Sequence, residues 1–322
     1  MTAGRTVILV VALNPALDIT HHVDVVDWAD VNRPVDVRAR PGGKGLNVAR
    51  VLRSLRADVL LVGLAGGNTG NELRSALAAA NVPAVFADVG GETRRTFAVV
   101  DGSRARTAIF LEPGPLITAA EYARFVGAYA EALGRSSAVV LSGSLPPGVP
   151  ANAYAELVTM AAAAGVPALL DTSGEALRLA VTARPAIVKP NLAELESAVG
   201  HAVPWTTARD PAAVVSAASE LLARGAEAVV VTLSADGLLA VTADGTWLAT
   251  PRRVAGNPTG AGDAVAAGLV HGLVRGLSWA DRLGRATALG AAAVAAPVAG
   301  EFRPADYDQA LACLQITYWE RF

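Results

Sequence analysis

Short apolar runs rich in Val, Leu and Ala recur along this chain, separated by longer Ala- and Leu-rich stretches with helical spacing. A run that is apolar at every position offers no face to water, so it belongs to a strand buried on both sides. The helical stretches between such runs supply the covering layers and the crossovers. The pattern predicts an α/β fold, a doubly wound and mainly parallel sheet with helices on both faces. Core strands are expected at Val7 to Leu13, Val59 to Leu64, Ala138 to Ser142, Ala168 to Asp171, Ile187 to Lys189 and Ala228 to Leu233. At 322 residues, 52% hydrophobic and 17% charged, the chain can bury a large core. No low-complexity linker or internal repeat divides it, so residues 1–322 read as one domain. Ligands of such sheets bind beyond the carboxyl ends of the strands, where Asp171, Lys189 and Thr232 fall.

Two stretches break the rhythm. Residues 17–40 and 93–112 are extended and alternating with no helix between, and Asp101-Gly102 between apolar runs signals a hairpin. They predict a small sheet beside the main one. Arg94, Arg95, Arg104 and Arg106 cluster there in a chain that is otherwise slightly acidic. Planar guanidinium groups suit bidentate phosphate recognition, and Arg94 is the candidate clamp.

The net charge of −2 gives no footprint for nucleic acid or an anionic membrane. The run Val7 to Leu13 is too short to span a bilayer and ends at Asn14-Pro15 without a cleavage pattern. A single cysteine, Cys313, fits a reducing, cytoplasmic setting. The four histidines lack zinc-ligand spacing. Ala264, Gly268, Gly272 and Gly276 recur every four residues and predict a helix face that admits a close neighbour.

Chemistry concentrates in two glycine turns. In Asn257-Pro258-Thr259-Gly260-Ala261-Gly262-Asp263, small residues end in a carboxylate where a helical pattern begins. The unpaired N–H groups and the dipole of a helix start stabilise an anion. A carboxylate beside a bound phosphate makes sense as a base, so Asp263 is expected to take the proton of an attacking hydroxyl, with Gly260, Ala261 and Gly262 forming the anion hole. The second turn, Pro41-Gly42-Gly43-Lys44-Gly45-Leu46-Asn47, also precedes a helical pattern. It is not a Walker A loop, because Gly45 follows Lys44. Gly63, Gly66, Gly67 and Gly70 do not have the G-x-G-x-x-G spacing of a dinucleotide-binding oxidoreductase. Asn191 and Glu194 are three apart at a predicted helix start after Lys189-Pro190, as befits either a cap or a site for Mg²⁺, which needs few protein oxygens.

The turns GGKGLN and GAGD, in this order, together with Asn14 to Asp18, Ser142 to Gly148 and Lys189 to Leu195, resemble the signatures of the PfkB/ribokinase family of sugar kinases. Within that family they are similar to the branch acting on phosphorylated hexoses, which includes 1-phosphofructokinase and tagatose-6-phosphate kinase. The resemblance implies a ribokinase-like fold whose small sheet is a lid over the sugar, with lids pairing two subunits into a homodimer. It implies ATP and Mg²⁺, with a monovalent cation such as K⁺ as a further cofactor. It places Asp18, Gly42, Gly43, Lys44, Asn47 and Arg94 at the substrate, and Lys189, Asn191, Thr232, Ser234 and Gly237 at ATP. Glu194 and Asn191 would reach the metal through water. Ser234 stands where the family commonly carries Gly. Thr93-Arg94-Arg95 and Asn257-Pro258 look closer to tagatose-6-phosphate kinases than to 1-phosphofructokinases or ribokinases. The rival activities are phosphorylation of a free sugar and a catalytically silent sugar-phosphate sensor, and the presence of Asp263 argues against the second.

Overall fold

The computed structural model describes residues 6–104, 106–205, 211–296 and 298–320. In chain order the first strands are β1 (Val7–Ala12), β2 (Ala16–Val23), β3 (Asp36–Gly42), β4 (Val59–Ala65), β5 (Ala84–Asp88), β6 (Arg94–Asp101) and β7 (Arg106–Leu111). They are followed by β8 (Ser136–Ser142), β9 (Ala168–Asp171), β10 (Ile187–Val188), β11 (Ala228–Thr232), β12 (Leu238–Thr242), β13 (Gly245–Thr250) and β14 (Gln315–Trp319). Helices α1 (Lys44–Ser54), α2 (Gly67–Ala79), α3 (Ala119–Leu133), α4 (Ala153–Ala163) and α5 (Gly174–Val181) occupy the first part of the chain. The second part holds α6 (Leu192–Val199), α7 (Ala212–Arg224), α8 (Ala261–Val274), α9 (Trp279–Ala295) and α10 (Pro304–Ala312).

The main sheet has ten strands in the order β14-β13-β12-β11-β10-β9-β8-β1-β4-β5. It is parallel from β5 to β11, and β12, β13 and β14 extend it antiparallel. Side-chain alternation divides the core into two layers. Leu9 and Val11 of β1 pack with Phe125 and Tyr129 of α3 and Tyr154 of α4. Ile8, Val10 and Ala12 turn to the other face, where Leu46 and Val48 of α1 and Leu269 of α8 cover them. Each such aliphatic side chain contributes about 1.5–3 kcal/mol when fully buried, which explains why β1 and β4, flanked by both layers, carry no polar residue.

All six expected core strands are present, and residues 17–40 and 93–112 form the separate four-stranded sheet, in the order β3-β2-β6-β7. Its central pair is parallel and its outer pairs are antiparallel. Asp101 fixes the β6–β7 turn by accepting from the amides of Val26 and Arg104 and from the Ser103 hydroxyl. The close packing expected after the Gly260–Asp263 turn occurs between α8 and α9. A Cβ on Gly268 would lie 2.7 Å from Ala286 Cα, and one on Gly272 2.8 Å from Arg282 Cγ. Gly276 does not share that face: it lies past the helix end at φ 64, with nothing within 4 Å of its Cβ position. Among the described residues, no helix is long and apolar enough to cross a membrane.

Candidate active site

The chain leaves β1 for β4 and β5 on one side and returns to β8 on the other, so the carboxyl ends of β1 and β8 flank a topological switch point, the usual ligand position in an open α/β sheet. A cavity of ≈ 1270 Å³ opens there between the main sheet and the small one. Single-ligand pockets occupy about 300–1,000 Å³, so this one has room for two substrates side by side.

Helix α8 begins at the anion turn. Its N-cap, Gly260, has φ 83, and a Cβ there would lie 2.6 Å from Ala299 Cβ, so only glycine fits. The Ala261 amide is bonded to the Pro258 carbonyl. The remaining first-turn donors are those of Gly262 and Asp263, so Ala261 does not offer the amide expected of it.

Asp263 is 6% exposed, and its Oδ2 accepts from Asn47 Nδ2 at 2.8 Å. Burial pushes its carboxyl up to about 7, with the Asp171 charge adding to the rise and the Asn47 hydrogen bond, Lys44 and Lys189 opposing it. The dipole of α8 also favours the ionised form, but by about 0.3–1 kcal/mol, whereas each pH unit of the rise is worth about 1.4 kcal/mol. Asn47 belongs to α1, which starts at Gly43 with φ 93. The two glycine motifs thus meet in a single hydrogen bond.

Behind that bond, Asp171 at the end of β9 is fully buried. Lys189 Nζ lies 3.0 Å and Lys44 Nζ 3.3 Å from its Oδ1, and the Ser142 hydroxyl donates to Oδ2 at 3.1 Å. Burial alone would raise this carboxyl, but the two ammonium groups outweigh it and hold it below the ordinary carboxylate range. Lys44 lies 3.8 Å from Glu194 Oε1 as well. Burial would lower its ammonium, yet Asp171, Glu194 and Asp263 together raise it. Lys44 therefore joins the inner charge cluster, whereas the resemblance placed it among the sugar contacts. Lys189 stands at the anion turn, 3.6 Å from where a Gly262 Cβ would be.

Asn191 and Glu194 form a reciprocal capping box at the start of α6. Asn191 Oδ1 accepts from the Glu194 amide at 2.8 Å, and Glu194 Oε2 accepts from the Asn191 amide at 2.9 Å. The capping alternative is thus realised, and Glu194 still offers Oε1 to the cavity that both residues line. Thr232, Ser234 and Gly237 line it too. Ser234 has φ 54, the left-handed conformation that favours glycine, which accounts for the glycine common at this place in the family. Gly237 has φ 104, and a Cβ there would lie 2.0 Å from the Ala249 carbonyl oxygen, so strand approach dictates this glycine.

On the opposite wall, alternation along β2 turns Asp18, Thr20 and His22 to the cavity beside Arg38 and Arg40 of β3 and Arg94 and Thr96 of β6. Burial pushes the Asp18 carboxyl up, opposed by the Thr96 hydrogen bond and by Arg40, Arg94 and Arg50. Gly43 lines this wall but Gly42 does not. A Cβ on Gly42 would lie 1.9 Å from Asp18 Oδ2, so Gly42 acts by leaving room for that carboxylate. Arg94 is partly committed, donating from Nε to the Asn14 carbonyl at 3.1 Å and from Nη1 to the Glu112 carbonyl at 3.2 Å. Arg95 turns to Thr69 and Arg104 to Asp101. Arg38 and Arg40 were absent from the expected ligand contacts, and their own alternation within the extended stretch 17–40 is the signal that points to them. Asp171 was expected near the ligand as a strand-end residue, and it lines the cavity.

Residues 11–306 match the model of the pfkB family carbohydrate kinases. Phosphofructokinase-2 from Escherichia coli in complex with potassium shares 28% identity, with a TM-score of 0.87 over 96% of this chain and 98% of that one. The same enzyme in complex with fructose-6-phosphate superposes with a TM-score of 0.84 at 28% identity, over 96% of this chain and 98% of that one. A Thermotoga maritima protein described as a possible 1-phosphofructokinase shares 26% identity, with a TM-score of 0.86 over 97% of this chain and 99% of that one.

Proposed function

The chain belongs to the pfkB family of carbohydrate kinases, enzymes that transfer a phosphoryl group to a sugar hydroxyl, and on that premise we propose that its acceptor is a ketohexose phosphate. Tagatose 6-phosphate and fructose 1- or 6-phosphate are the candidates, with ATP as donor. The observation that carries this reading is the Asn47–Asp263 hydrogen bond. It joins the sugar-side turn to the anion turn inside a cavity whose far wall carries Arg38 and Arg94. A free sugar has no group that requires such a wall, and a solved relative, phosphofructokinase-2, holds fructose-6-phosphate.

In the proposed reaction the acceptor hydroxyl lies between Asp263 and the amides of Gly262 and Asp263. Its oxygen forms a bond to the γ-phosphorus as the bond from that phosphorus to the β–γ bridging oxygen breaks. The proton passes to an Asp263 carboxylate oxygen, and ADP leaves. The two amides and Lys44 balance the charge on the transferring group. The donor set fits Mg²⁺ held mainly by phosphates and water, because Glu194 Oε1 is the carboxylate oxygen facing the nucleotide side without a capping bond. Bound there, Mg²⁺ would neutralise phosphate charge. Potassium, present in one solved relative, is a further candidate cofactor.

The lid also exposes Trp28 (79%), Val31 (70%), Val35 (68%) and Phe110 (56%). Apolar exposure on this scale supports pairing of two lids into a homodimer. The test of the function is ADP release measured over a panel of free and phosphorylated ketohexoses. A preference for the phosphorylated sugars is expected, and a higher kcat/KM for a free sugar would move the chain to the ribokinase-like activity.

A further inference from the structure

Most basic residues of the lid pair within it or with its immediate supports, but Arg40 reaches the loop behind the reacting centre. Its Nη2 donates to the Ala299 carbonyl at 2.6 Å, and its Nη1 lies 3.6 Å from Glu301 Oε1. Its side chain is only 24% exposed. The segment it grips follows α9 and touches the site twice. Ala299 fills the space against Gly260, where a Cβ would be 2.6 Å away, and Gly300 abuts Asn47, whose Oδ1 would be 2.9 Å from a Gly300 Cβ. Neither contact has slack. A shift of Ala299 is therefore felt at the anion turn, and a shift of Gly300 at the Asn47 amide that holds Asp263.

We propose that Arg40 is a positioning residue for phosphoryl transfer: anchored in lid strand β3, it holds residues 299–301 against Gly260 and Asn47 and so keeps the anion turn and the base in register. The inference rests on the kinase reading, but its mechanical part stands independently of activity. It also differs from the simpler role open to an arginine that lines the cavity beside Asp18, which is to hold the substrate phosphate directly.

Arg40→Ala, Arg40→Lys and Glu301→Gln separate the two roles. A misplacement of about 1 Å can cost up to 10²-fold in rate, so Arg40→Ala is expected to lower kcat by about 10-fold to 10²-fold while KM for the sugar phosphate changes by less than about 3-fold. The acid limb of its pH–rate profile should move to higher pH, because a displaced Asn47 no longer favours the Asp263 carboxylate. Arg40→Lys, which can still reach one carbonyl, should recover part of kcat. Glu301→Gln should stay near wild type, since the Ala299 bond survives. Amide hydrogen exchange at residues 258–263 and 299–301 should quicken in Arg40→Ala whether or not any sugar turns over, which separates this proposal from the choice of substrate. A raised KM with unchanged kcat would overturn it in favour of direct phosphate binding. Unchanged kinetics, or unchanged exchange in both segments, would overturn it outright.

Discussion

At the residue scale the proposed role of Asp263 sets two demands against each other, because the burial that would make it an effective base also makes it hard to ionise. Its carboxyl rises from 3.8 to about 7, so below pH 7 it is mostly protonated and unable to accept the acceptor proton. The free enzyme should therefore lose kcat/KM as pH falls, with an acid limb near pH 7. A limb near pH 4 would mean that the base is a solvated carboxylate elsewhere. Glu194 makes a second residue-scale case. Glutamine satisfies the same capping box, so Glu194→Gln should leave the fold intact while raising the Mg²⁺ concentration needed for half-maximal turnover. An unchanged Mg²⁺ titration would leave Glu194 as a cap alone. The place of Asp263 was legible from its turn, although small residues before a helix start serve equally as a cap with glycines kept for close packing. Asp171 and Lys189 were legible as strand-end residues, but their clustering with Lys44 was not, because charge pairing between distant elements leaves no local spacing to read.

Elements were legible where burial is uniform and obscure where it is not. The strands enclosed by both helical layers, such as β1 and β4, announce themselves as unbroken apolar runs. The edge strands β5 and β14 went unrecognised, since each is only five residues long and at least partly open to solvent throughout. The α8–α9 contact was readable from the glycine spacing, yet Gly276 shares the spacing without sharing the face, because the helix ends before it. Backbone lies across from Gly268, so its neighbours cannot yield as a flexible side chain would. Gly268→Ala should cost about 1–3 kcal/mol, the usual range for overpacking, measured by urea unfolding. A loss within about 0.5 kcal/mol, the range of a surface change, would show that the two helices can separate without penalty.

At the scale of the whole molecule, the proposed chemistry lies at the seam between the main sheet and the small one, on whose side Trp28, Val31, Val35 and Phe110 are exposed. If two lids pair, Phe110→Asp should weaken the dimer by about 10-fold to 150-fold, the equivalent of the 1.5–3 kcal/mol gained by burying such a side chain. Sedimentation velocity across a dilution series reads this shift, and a wild-type monomer at micromolar concentration would remove the lid from the interface. The fold, the family and the pairing of two glycine turns all converge on phosphoryl transfer, and Asp263 is the group proposed to take the proton. The most direct test is the kcat for ADP release by Asp263→Asn, set beside wild type at saturating ATP, Mg²⁺ and sugar phosphate. Asn can still accept the Asn47 hydrogen bond, so structure and ATP binding should persist while kcat falls by about 10²-fold to 10⁴-fold, as expected for a lost general base. A variant that kept more than about a third of wild-type kcat, well outside that range, would contradict the account.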